Sequence, residues 1–149
     1  MEKKYKLTEE TIIHDGRTLY RIEAVKDFGI VKCGYKGGYI ENESNLSHDG
    51  NAWVWDDAKV YGNALVHGNA RVGGNAWVGG DAEIKGISDY IVFKNWWSSG
   101  RYFTWTRSNN MWKVGCFYGT SKELIEKAYK DSEMSGREYE RVVRYVEEI

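Results

Sequence analysis

Cysteine occurs only twice in the 149 residues, at Cys33 and Cys116. Two thiols so far apart make neither a disulfide framework nor a zinc motif, and the expected setting is a reducing cytoplasm. Histidine is nearly as scarce, at His14, His48 and His67. They are too scattered for a three-histidine zinc site, so no metal and no cofactor are expected. Charge of one sign is not in excess: the formal net charge is −1. A nearly neutral chain is no general polyanion binder, and an extended nucleic-acid partner is not expected. No apolar run approaches the roughly 20 residues of a membrane span. The opening Met1-Glu2-Lys3-Lys4-Tyr5-Lys6-Leu7-Thr8 lacks the apolar core of a signal peptide. Apolar matter as such is ample: 42% of residues are hydrophobic and 15% aromatic, which excludes global disorder.

The most informative segment is Gly50 to Lys85, six hexapeptides without a gap: GNAWVW, DDAKVY, GNALVH, GNARVG, GNAWVG and GDAEIK. Val54, Val60, Val66, Val72, Val78 and Ile84 form one apolar rank, and Ala52, Ala58, Ala64, Ala70, Ala76 and Ala82 a second. Within each unit Ala and Val stand two apart, on one face of an extended segment. Each Val therefore centres a short strand with its β-branched side chain inward. The Gly-Asn or Asp-Asp pair between strands turns the chain, because these residues accept left-handed angles or bond the local backbone. Three corners per turn predict an 18-residue triangular coil, about three turns in all, whose two open ends need caps.

This pattern resembles the hexapeptide-repeat family, and the resemblance implies a left-handed parallel β-helix. The left hand is the family's, since the general crossover rule gives the right. The flanks are read from the residues. Glu10–His14, an Asp15-Gly16 turn and Arg17–Glu23 form a hairpin. Tyr90–Lys94, Arg101–Arg107 and Met111–Tyr118 form three strands. Thr120 with Glu123 makes a capping box for a helix that Ser135-Gly136 ends, and a last helix runs from Arg137 to Ile149. The expected fold is thus a mainly β chain in three parts: an N-terminal β-hairpin over 1–36, the repeat over 37–89, and a C-terminal α+β cap of three strands and two helices over 90–149. Gly37-Gly38-Tyr39-Ile40-Glu41, Asn45-Leu46-Ser47, the GNA units and Gly115-Cys116-Phe117-Tyr118-Gly119-Thr120 are together similar to small hexapeptide-repeat proteins of phages and prophages. That likeness carries over no catalytic residue. It implies a homo-oligomer, most simply a trimer, in a host-cell cytoplasm.

Three functions are weighed on the residues. Acyltransferases of the hexapeptide-repeat family use a histidine near the coil; here only His67 lies in the repeat, pointing outward, with little wall for a long cofactor. A binding surface has more support. Residues eighteen apart stack, so Trp53, Trp55 and Arg71 share one face, Lys59, Tyr61 and Trp77 the next, and Leu65, His67, Glu83 and Lys85 the third. Rings beside a cation suit stacking on a base with charge pairing to phosphate, and equally suit a protein interface. The expected function is non-enzymatic binding or sequestering of a host protein or a small anionic, nucleotide-like ligand, with no catalytic residue. A divergent acyltransferase is the alternative, and a structural virion module a third reading that the compact, helix-ended C-terminus disfavours.

Overall fold

A computed structural model describes residues 2–149. Strands β1 (Tyr5–His14) and β2 (Arg17–Ala24) form an antiparallel hairpin, and the chain reverses through Asp15 and Gly16, both at positive φ (50° and 76°). Two adjacent left-handed residues make the turn whose twist matches a hairpin, and Asp-Gly favours it. Strand β3 (Lys36–Ile40) pairs antiparallel with β2 on one side.

The hexapeptides each give a strand of two residues: β4 (Trp53–Val54), β5 (Lys59–Val60), β6 (Leu65–Val66), β7 (Arg71–Val72), β8 (Trp77–Val78) and β9 (Glu83–Ile84). They pair in parallel at eighteen-residue spacing, Trp53 with Arg71, Lys59 with Trp77 and Leu65 with Glu83. Both apolar ranks are buried, with no member more than 1% exposed. At the ladder margins Trp53 N donates to Ala70 O (3.1 Å), Lys59 N to Ala76 O (2.9 Å) and Leu65 N to Ala82 O (2.9 Å).

Beyond Ile84, β10 (Tyr90–Lys94), β11 (Tyr102–Thr106), β12 (Met111–Val114) and β13 (Phe117–Thr120) make a four-stranded antiparallel sheet in chain order. Helices α1 (Ser121–Asp131) and α2 (Glu133–Glu148) cover one face of it. Thr120 and Glu123 form the expected capping box. Leu124, Ala128, Tyr139, Val143 and Val146 pack on Phe103, Trp105 and Trp112.

The expected fold, a left-handed parallel β-helix with a hairpin and a three-strand cap, is corrected by this arrangement. The strands are mixed and antiparallel, distributed over several small sheets with no closed barrel. The reason lies in strand length. Two-residue strands contribute two rungs per ladder, so most of the sheet comes from the flanks, and both flanks are antiparallel. One ladder is also absorbed into the N-terminal sheet, because β3 pairs in parallel with β5 and antiparallel with β2. The C-terminal sheet has four strands, since Gly115 at φ 56° turns the chain inside the expected third. The helix does not end at Ser135-Gly136. It breaks earlier, at Ser132, whose hydroxyl caps α2 by accepting from Ser135 N, and Gly136 sits inside α2 with the Tyr129 ring against it.

Gly37 and Gly38 set how closely β3 lies on the repeat. A Cβ at Gly38 would stand 2.5 Å from Ala58 O, and one at Gly37 2.5 Å from Val54 O. Since backbone cannot yield as a side-chain tip does, Gly38→Ala should destabilise the protein by about 1–3 kcal/mol or more. Gly86→Ala, where a Cβ meets nothing within 4 Å, should be nearly neutral. Urea unfolding of the two variants checks the contrast.

Candidate functional site

The ladder of β3, β5 and β8 ends against β11. Trp77 N donates to Thr104 Oγ1 at 3.0 Å, which fixes the two sheets relative to each other. Thr104 is buried there because alternation along β11 turns Tyr102, Thr104 and Thr106 to the repeat while Phe103 and Trp105 face the helices. At this seam a pocket of about 200 Å³ is lined by Lys59, Asn75, Trp77, Arg101, Tyr102 and Gly115. None of these side chains is acidic. Lys59 Nζ lies 5.7 Å from the centre of the Trp77 ring, within cation–π range. Among the described residues neither Lys59 nor Arg101 has a carboxylate within 4.0 Å. Burial holds the Lys59 ammonium below its ordinary pKa; Asp57 opposes that shift and Arg21 adds to it. Gly115 leaves space for the Arg101 guanidinium, since a Cβ there would lie 2.7 Å from Nη1.

Behind Trp77 lies a second group of charges. His14 stands edge-on to the Trp77 ring at 4.4 Å and 4.9 Å from the Tyr61 ring. The buried Lys113 ammonium reaches Asp15 Oδ2 at 2.5 Å and lies 6.0 Å from the Trp77 centre. That pair holds the Asp15 carboxyl below its ordinary range, chiefly through the hydrogen bond. Buried polar groups normally find partners, yet His14 Nε2 and the Tyr61 hydroxyl are both buried without a hydrogen bond.

The seven residues read from the sequence separate. Lys59 and Trp77 meet in the pocket. Tyr61, from the same face, is 5% exposed beneath His14, with the Arg17 guanidinium over its ring, so it supports the site from below. Trp53 is fully buried against Phe28 and Tyr5 (centroids 5.4 and 6.2 Å) and belongs to the core. Trp55 is half-buried with its indole nitrogen covered. Arg71 is exposed beside Trp53 in register, but without that ring at the surface. His67 Nε2 is 2.8 Å from Glu83 Oε1 on the third ladder, away from the seam pocket.

Sequence reasoning did not find Arg101, Tyr102, Asn75, His14, Asp15 or Lys113. Alternation along β11 places Tyr102 on the side of the repeat, but gives no sign that Arg101, in the turn before the strand, joins it in one pocket. Nothing local says that this strand lies across β8. Among the described residues no group of three His, Cys, Asp or Glu side chains is placed to hold a metal ion, and both cysteines are free and exposed. No helix among them is long and apolar enough to cross a membrane. No protein-family model matches the chain, and no curated protein matches it.

His14 gives a pH dependence. Burial lowers its pKa, Asp15 opposes, and Lys113, Lys59 and Arg17 lower it further. The folded value lies below the ordinary one of about 6.5, so the unfolded chain binds the extra proton. Stability from this group is present above pH ~6.5 and is lost as pH falls towards the folded value. The urea midpoint should drop between pH 7 and 5, and His14→Phe, which keeps a ring against Trp77, should shrink that drop.

Proposed function

We propose that this chain is a non-enzymatic binding protein whose ligand is a small aromatic anion of nucleotide type, held in the seam pocket. One observation carries the reading: Lys59 and Arg101, neither paired with a carboxylate, line the same 200 Å³ space as the Trp77 and Tyr102 rings. The rings offer faces for a base, and stacking of that kind is worth about 1–3 kcal/mol per base. The two cations offer charge-assisted hydrogen bonds to phosphate, which are roughly twice as strong as neutral ones. A phosphate beside Lys59 would also favour its charged form, against the burial that disfavours it. The pocket suits a mononucleotide or a compact cyclic nucleotide better than a polymer. In a phage-encoded protein such a site would remove a nucleotide signal from the host cytoplasm.

Isothermal titration with cyclic and linear nucleotides, an uncharged nucleoside and inorganic phosphate tests the reading. At least one nucleotide should bind and quench tryptophan fluorescence, more weakly as salt rises. Trp77→Ala and Arg101→Ala should each weaken binding by roughly tenfold or more, with Arg71→Ala silent. Absence of binding by every nucleotide, or binding indifferent to both pocket substitutions, would remove the reading.

A further inference from the structure

Strand β10 is the outer strand of the C-terminal sheet. Two hydrogen bonds fix which of its backbone groups are free. Arg107 N donates to Asp89 O at 2.9 Å, and Asn95 N donates to Arg101 O at 2.8 Å. In an antiparallel ladder the bonded residues alternate, so Asp89, Ile91, Phe93 and Asn95 face β11. The N–H and C=O groups of Tyr90, Val92 and Lys94 point to the open side. Proteins usually blunt such edges with bulges, inward charges or proline. Here the pairing of β10 with β11 runs without a register shift, and Tyr90, Ile91, Val92 and Phe93 are all partly exposed.

We propose that β10 pairs antiparallel with β10 of a second copy of this chain about a twofold axis at Val92, joining two four-stranded sheets into one of eight. The strand is self-complementary in two respects. With the axis at Val92, Val92 faces Val92 of the second copy and Tyr90 faces its Lys94, so all six free backbone groups find partners. The ends carry two of the most exposed large apolar side chains, Ile87 (84% exposed) and Trp96 (67%), which the same pairing brings into one neighbourhood. Room exists on both faces. A hollow of about 550 Å³ lies beside Tyr90, Val92 and Lys94, and one of about 360 Å³ beside Ile91 and Phe93. In the second hollow Glu138 and Arg141 of α2 stand together, a pair of opposite sign that a twofold can match to itself. The assembly is a dimer, in place of the trimer that the repeat's resemblance implies, and it does not depend on the seam pocket.

Analytical ultracentrifugation of the full chain tests the proposal. The expected mass is twice the 17.2 kDa of the single chain. Val92→Lys sets two ammonium groups against each other at the axis and should return the mass to that of one chain, with an unchanged circular dichroism spectrum. Should that variant fail to fold, Val92→Cys in a Cys33→Ser, Cys116→Ser background decides. Directly opposed bonded residues lie about 5.5 Å apart at Cα, within disulfide reach, so mild oxidation should give a covalent dimer. A single-chain mass at all concentrations, a dimer or trimer that survives Val92→Lys in folded form, or no cross-link at position 92 would overturn the proposal.

Discussion

The repeat is a short stack with two open backbone ends, and the flanks are built to close them. Each parallel ladder satisfies only the groups that two coils turn to each other, so the first and last coils turn N–H and C=O groups outward that need other partners. Neither can be left dry without a cost of about 1–3 kcal/mol each. The two flanks supply side-chain partners for these groups. At the first coil Lys4 Nζ donates to Gly50 O (3.1 Å) and Ala52 O (2.7 Å), and Asn45 Nδ2 donates to Gly62 O and Ala64 O. At the last coil the Tyr90 hydroxyl accepts from Gly73 N and donates to Arg71 O, while Thr104 accepts from Trp77 N and Ser108 from Glu83 N. Lys4 is fully buried for this task, and burial lowers its pKa to about 8.

The inward ranks of the repeat were legible because a six-residue period leaves little freedom: Val54 to Ile84 and Ala52 to Ala82 are all core. Strand β10 and the Thr120 cap were legible for the same local reason, short signals with their own partners nearby. Fold class was not, because period and register inside the repeat say nothing of how its neighbours pair. The hairpin takes over one ladder through β3, and only the Gly37-Gly38 pair hints that backbone meets backbone there.

Outward positions were the least legible. Trp53 and Trp77 occupy equivalent places in their hexapeptides, yet one is core and the other lines a pocket. The difference lies in what covers them: Tyr5 and Phe28 close over Trp53, while β11 approaches Trp77 from the side and stops at Thr104. The cations of the site likewise come from places far apart in sequence, Lys59 from the repeat and Arg101 from the turn before β11. A seam between two units is invisible to any window narrower than their separation.

The contact of Lys113 with Asp15 joins positions 98 residues apart. During synthesis the tip of the first hairpin therefore emerges long before its counter-ion. The sheet from β1 to β8 can bring His14 to the Trp77 ring earlier, but Lys113 reaches them only after β12 has left the ribosome. Long-range closure of this kind slows folding, because the entropy of the loop is lost before the contact forms. Ribosome transit thus sets the earliest moment at which the two ends of the molecule can lock.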